Sequence, residues 1–174
     1  MTMRSRDVKV EDFESAALPY LKELFRTAVR LTGNRTEAQD IVQNVYLQAW
    51  RSFHRFEPGT NCRAWLFKIL MNELRHHRRR MNTNREVEDD GTVVSNTAWV
   101  GPVPDELTDE DVLSALDALP DEFREVVLLA DVEEFGYKQI AEILDIPVGT
   151  VMSRLSRGRR QLRMKLKGMN RYAI

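Results

Sequence analysis

The sequence holds a single cysteine, Cys62, among 174 residues. An internal disulfide is therefore impossible, and a cysteine-built metal cluster has no basis. A chain so poor in cysteine suits a reducing cytoplasm. No apolar run approaches the roughly 20 residues that span a bilayer. The opening stretch, MTMRSRDVKVEDFESA, lacks the apolar core of a signal peptide, so a soluble cytoplasmic protein is expected. Strand signals are nearly absent, and there is no internal repeat or low-complexity tract. No phosphate-binding glycine loop, nucleophile–base–acid set or catalytic carboxylate pair stands out. The expectation is a protein without catalytic activity of its own and without a cofactor. His76 and His77 are adjacent, so on a helix they face different directions. With His54 and Cys62 nearby a zinc site is conceivable, but a metal pair prefers a spacing of three or four, and no metal is expected.

Acid is also missing where it would repel a polyanion. From Ile146 to Ile174 there are 8 basic residues and no acidic ones, whereas Glu86 to Glu125 holds 13 acidic residues and one basic residue, Arg124. The net charge of −1 hides this segregation. The basic end can meet a polyanion, and the acidic middle should avoid one. Hydrophobic content of 43% supports a packed core, and charged content of 30% is that of a soluble protein.

Helical periodicity dominates what is there, and the fold class is all-α. Two small helical domains are expected, over 13–80 and 107–168, joined by a flexible acidic linker over 81–106. In the first block Leu21, Leu24, Phe25, Ala28 and Leu31 recur at helical spacing, and TGNRT breaks the pattern. Thr36 is a candidate cap for the next helix, whose apolar positions are Ile41, Val42, Val45, Tyr46, Ala49 and Trp50. FHRFEPGTN reads as a loop with a Pro58-Gly59 turn. A third helix follows, from about Cys62 to Arg79, with Leu66, Ile69, Leu70 and Leu74 on its core face. The linker, at ~3.3 Å per residue over about 25 residues, can span roughly 80 Å when stretched. Trp99 within it could dock on a partner or pack on one of the chain's own domains. In the second block Val112, Leu113, Leu116 and Leu119 share a face, Pro120 restarts the chain, and Phe123 with Val126 to Leu129 makes the next helix.

YKQIAEILDIPVGTVMSRLSRGRRQL has the layout of a helix-turn-helix. Ile140, Ala141 and Leu144 are expected inward on its first helix. Pro147 suits the start of the second. Val151, Leu155, Gly158 and Leu162 form a buried seam there, leaving Thr150, Met152, Ser153, Ser156, Arg157 and Arg160 outward. Such a helix fits the major groove, where arginine reaches guanine and hydroxyls reach phosphate. On the third helix of the first block, Trp65, Lys68, Asn72, Arg75 and Arg79 recur at spacings of three and four. An aromatic, an amide and cations on one stripe suit single-stranded nucleic acid. A packed tryptophan beside solvated arginines is the plainer alternative.

RTEAQDIVQNVYLQAWRSFHRFEPGTNCRAWLFKILMNELRHHRRR resembles region 2 of bacterial extracytoplasmic-function (group 4) sigma factors of the sigma-70 family. LDALPDEFREVVLLADVEEFGYKQIAEILDIPVGTVMSRLSRGRRQLR resembles their region 4, in the expected order. The resemblance implies a subunit that binds core RNA polymerase and directs promoter-specific initiation, held inactive by an anti-sigma factor until a stress or environmental signal. FEPGTN and GTVMSRLSRGRRQLR further resemble the subgroup paired with zinc-binding anti-sigma factors. By position, the resemblance puts Ala38, Asp40, Gln43 and Gln48 on the exposed side of the helix that docks on core polymerase. Gln39, Asn44 and Val45 depart from the family's usual acidic pattern there. It assigns Arg63, Trp65, Lys68, Asn72 and Arg75 to the minus-ten element, with FHRFEPGTN capturing a flipped base. It assigns Thr150, Met152, Ser153, Arg154, Ser156, Arg157 and Arg160 to the minus-thirty-five element, where many relatives carry a cation in place of Met152. The alternative is a stand-alone helix-turn-helix regulator that binds operators as a dimer. The basic, aromatic stripe near Trp65 favours the sigma factor, since a sensing domain does not need it.

Overall fold

A computed structural model describes residues 3–83 and 109–169. The described residues are helical or in turns, without a strand. The chain divides into two compact units, one up to Met81 together with Glu142–Asp145 and the other made of the remaining residues from Asn82 on. Trp99 and the acidic segment lie outside the described residues.

The first unit contains α1 (Met3–Ala17), α2 (Leu21–Thr32), α3 (Arg35–Ser52) and α4 (Cys62–Thr83). Short 3-10 turns over Leu18–Tyr20 and Phe53–Arg55 follow α1 and α3. Helix α1 was not anticipated, because its few apolar residues make no 3.6-residue repeat. Between α2 and α3 the chain turns in two residues. Gly33 takes φ +67°, a left-handed cap that a Cβ would disfavour, and its N–H returns to the Val29 carbonyl at 2.8 Å. Asn34, not Thr36, then caps α3: its Oδ1 accepts the N–H groups of Thr36 at 2.9 Å and Glu37 at 3.2 Å. This tight turn lays α2 against α3. Leu24, Ala28, Val45, Ala49, Leu66, Phe67, Leu70 and Met71 are fully buried. Phe67 and Met71 widen the buried face of α4 beyond the four positions expected from periodicity.

The second unit contains α5 (Asp109–Asp117), α6 (Asp121–Val127), α7 (Tyr137–Leu144) and α8 (Val148–Met169). Pro120 caps α6, its carbonyl accepting the Phe123 and Arg124 N–H groups. A π turn over Leu128–Val132 ends α6, and the Glu133 N–H reaches back five residues to Leu128. Asp145 sits at φ +55° between α7 and α8, a left-handed position that aspartate tolerates better than most residues. Pro147 stands just ahead of α8, where its carbonyl accepts Thr150 and Val151. Both α5 and α6 pack on α8. Three positions differ from expectation. Leu113 is exposed while Ala115 is buried, Ala141 is half-buried while Ile143 is buried, and the seam of α8 closes on Leu166 with Leu162 half-buried.

Candidate nucleic-acid interface

Helix α4 is introduced by a tied turn. Gly59 takes φ +88°, Thr60 Oγ1 donates to the Glu57 carbonyl at 2.8 Å, and Asn61 Oδ1 caps the helix by accepting the Ala64 N–H at 3.0 Å. At 100° per residue, Trp65, Lys68, Asn72, Arg75 and Arg79 lie within about 80° of arc. Lys68, Asn72 and Arg79 are exposed, and Trp65 and Arg75 are half-buried. The stripe is therefore real, with an aromatic at one end. The Trp65 ring lies 5.1 Å from Phe56 and 6.4 Å from Phe53. Phe53 and Phe56 stack at 5.7 Å, and Phe13 meets Phe53 and Trp50 edge-on at 5.2 Å. A cleft of about 570 Å³ opens beside these rings, lined by Trp50, Phe53, His54, Phe56 and, from α1, Asp12 and Ser15.

Arg63 does not join the stripe. It lies about 160° away around α4, where its Nε donates to Glu23 Oε1 at 2.7 Å and its guanidinium sits 5.3 Å from the Phe67 ring. There it ties α4 to α2.

On α3, Asp40, Gln43 and Gln48 are exposed, as expected of a docking face. Ala38 is not; it is fully buried. It continues the row Ala38, Ile41, Val42, Val45 and Ala49, so its methyl faces the core. What the sequence reading missed is apolar. Leu47 is 48% and Trp50 40% exposed on the outer side of α3. Beside them an apolar cleft of about 440 Å³ is lined by Phe13, Leu18, Leu21, Val42, Tyr46 and Trp50. His77 Nε2 lies 2.9 Å from Glu37 Oε2, and Glu37 also receives Asn34 Nδ2 at 3.2 Å. His76 is exposed on a different side. Among the described residues no group of three or more His, Cys, Asp or Glu is placed to hold a metal ion.

Burial pushes the Cys62 thiol up from its usual range, so it stays protonated near neutral pH rather than forming a reactive thiolate. Burial, helped by Cys62 nearby, pushes the Tyr46 phenol up to about 12. That phenol donates to the Ala17 carbonyl at 2.8 Å.

Helix α8 exposes Met152, Ser153, Ser156 and Arg157, with Thr150 and Arg160 half-buried at the edge of that face. Met152 is 53% exposed, an apolar side chain in a polar stripe. Arg154 sits on the flank instead, where its guanidinium meets Glu122 Oε2 at 3.0 Å. Arg159, absent from the expected contact set, grips Asp131 through two bonds, from Nε to Oδ2 at 3.0 Å and from Nη2 to Oδ1. That hydrogen bond raises its already high pKa. Val151 and Leu155 are buried. At Gly158 α8 comes close to α6: a Cβ there would lie 2.8 Å from Val127 Cγ2 and 3.3 Å from the Phe123 carbonyl oxygen.

The family models for Sigma-70 region 2 and for Sigma-70, region 4 match residues 17–84 and 109–162, one on each unit. The ECF RNA polymerase sigma factor EcfG of Rhodopseudomonas palustris is 38% identical over 148 residues, covering 84% of this chain and 79% of EcfG. The chain belongs to the ECF RNA polymerase sigma factors. Helix α4 thus lies in region 2 of the sigma factor, and α8 in region 4. ECF sigma factor SigE of Mycolicibacterium smegmatis is 34% identical over 166 residues, 86% of this chain. SigE is longer, and the match spans 63% of its length. Among solved structures, the sigma factor RpoE in complex with the anti-sigma factor NepR, from Bartonella quintana, superposes with a TM-score of 0.70 at 34% identity. That match covers 90% of this chain and 98% of RpoE. No helix among the described residues is long and apolar enough to cross a membrane.

Proposed function

We propose that this sigma factor joins core RNA polymerase through region 2, reads a minus-ten element with α4 and a minus-thirty-five element with α8, and so directs promoter-specific initiation in the cytoplasm. It brings specificity and no catalysis of its own. The observation that carries this reading is the presence of two DNA-competent helix faces on one chain, α4 in region 2 and α8 in region 4. A stand-alone regulator needs only the second.

The docking face on α3 comprises Asp40, Gln43 and Gln48, extended by Leu47 and Trp50. Exposed apolar side chains beside polar ones suit a protein partner better than a nucleic acid. Along α4, Trp65 stacks while Lys68, Asn72 and Arg75 meet phosphates and base edges of the opened strand. Extruding a base costs a few kcal/mol, which stacking at about 1–3 kcal/mol per base and charge contacts offset. The 570 Å³ aromatic cleft beside the turn is a fitting receptacle for such a base. Along α8, Ser153, Ser156 and Arg157 are the principal readers, with Thr150, Met152 and Arg160 at the edges. An anti-sigma factor restrains the protein by covering these faces. The likeness to RpoE, whose structure contains NepR, supports a partner of that kind. The two regions are taken as 13–80 and 107–168, joined by the segment 81–106.

Purified protein added to core polymerase and a fork-junction promoter template should give a specific transcript. Absence of that transcript, with tight binding of the protein alone to duplex operator as a dimer, would establish the regulator instead.

A further inference from the structure

Two carboxylates outside the reading face bear on how α8 is aimed. Around the axis of α8, the seam of Val151, Leu155 and Gly158 marks the buried side. At 100° per residue Arg154 lies about 65–75° to one side of that seam and Arg159 about 65–75° to the other. Each is held by an acid from the helix beneath. Glu122, in the first turn of α6, takes Arg154 at 3.0 Å, and Asp131, in the π turn that ends α6, takes Arg159 through two bonds. Between them Gly158 rests against Val127 and Phe123, with no side chain of its own to resist rocking. The crossing is therefore a close, smooth pivot with an ion pair on each flank.

We propose that Glu122 and Asp131 are positioning residues for promoter recognition. They act through Arg154 and Arg159 to fix the rotation of α8, and so decide where Ser153, Ser156 and Arg157 point. The inference rests on α8 being the duplex reader. Rotational control matters because side-chain tips lie about 5–6 Å from the helix axis. A roll of about 20° sweeps such a tip through about 2 Å, far more than the roughly 0.5 Å window of a hydrogen-bond length. Base reading is lost at that displacement, while phosphate contacts by flexible arginines survive it. The acids also occupy two cations that would otherwise bind phosphate without regard to sequence. Exposed ion pairs add little to stability, so removing them should leave the fold intact and change discrimination.

The test uses the full chain assembled with bacterial core RNA polymerase and a duplex promoter library randomised across the upstream element. The wild-type holoenzyme should enrich a defined upstream sequence. The double variant Glu122→Gln, Asp131→Asn should flatten that preference by at least about fivefold at its strongest position, the low end of what one good base contact supplies. Its melting curve should be unchanged. The conservative pair Glu122→Asp, Asp131→Glu should keep the sharp preference. An amide variant that enriches the same sequence as sharply as wild type would overturn the proposal and leave the reading of α8 standing. So would unchanged discrimination with tighter binding to every sequence and a steeper salt dependence, since the acids would then only be holding back phosphate contacts. A wild-type holoenzyme that enriches no upstream sequence would overturn the reading of α8 itself, and the proposal with it.

Discussion

Replacing Gly158 by alanine pits two effects on one helix against each other. Alanine is the better helix former by about 1 kcal/mol in a helix interior. Against that, the new Cβ would lie 2.8 Å from Val127 Cγ2, 3.3 Å from Phe123 Cβ and 3.3 Å from the Phe123 carbonyl oxygen. Neither neighbour yields easily. Val127 is 2% exposed, and a β-branched side chain on a helix is confined largely to one rotamer. The Phe123 oxygen belongs to the backbone of α6. Overpacking of this kind costs about 1–3 kcal/mol, and rigid neighbours place it in the upper half of that range. The net is a loss of about 1–2 kcal/mol, or roughly 5–30-fold in the folded-to-open ratio of the α6–α8 packing. Gly149 and Gly168, on the same helix, have nothing within 4 Å of a built Cβ. Alanine at either should be neutral or stabilising by up to about 1 kcal/mol. Amide hydrogen exchange of α8 peptides in the full chain reads this locally, without requiring both units to unfold together. Faster exchange in Gly158→Ala, alongside equal or slower exchange in the two controls, is the expected result. Protection in Gly158→Ala equal to or above wild type would refute the close crossing of α6 and α8.

Arg157→Ala should weaken promoter binding by the holoenzyme by about 1–3 kcal/mol while leaving affinity for core polymerase unchanged, as measured by parallel titrations against promoter duplex and core alone. Asn72→Ala should reduce strand opening, seen as permanganate reactivity of unstacked thymines, more than it reduces closed-complex formation; equal losses in both would count against a role in melting. The Tyr46 phenol has a folded pKa of about 12 against its usual 10. A raised pKa means the folded state holds its proton longer. The associated stability is complete below pH 10 and is lost as pH rises through about 12. Alkaline unfolding of the first unit should therefore lose part of its pH dependence in Tyr46→Phe, and a tyrosinate absorbance that titrates entirely near 10 would contradict the burial.

Much of this arrangement was legible in the sequence because helices write a 3.6-residue period into it. The stripe from Trp65 to Arg79 and the outward set on α8 come from spacing alone, and both survive in three dimensions. What spacing cannot carry is the partner on the next helix. Nothing near Arg63 or Arg154 in sequence is acidic, so spacing gives no sign that either is paired. Their acids, Glu23 and Glu122, are far along the chain and meet them only once the helices pack. Ala38 looks like a surface alanine because it is small, yet its register with Ile41 and Val45 buries it. Asn34 took the cap from Thr36 by a shift of two residues, within the usual uncertainty of a helix start. The aromatic cluster of Phe13, Trp50, Phe53, Phe56 and Trp65 draws on three helices and a turn, so no local window contained it.

The ion pairs also change what the basic end of the chain implies. Eight cations over Ile146–Ile174 suggest tight binding to any duplex, since each neutralised phosphate steepens the salt dependence by about 0.9. Two of those cations, Arg154 and Arg159, are committed to carboxylates of the same unit, and Lys165 and Lys167 sit a full turn or more beyond the reading residues. The outward face of α8 carries Arg157, Arg160, Arg163, two serines and a methionine, fewer cations than the composition of the segment suggests. Region 4 should then bind isolated duplex DNA weakly and with a shallow salt slope. Useful affinity requires region 2 to engage the same promoter at the same time, and two modest contacts gain that avidity only when something sets their separation. Core polymerase is the body that can do so.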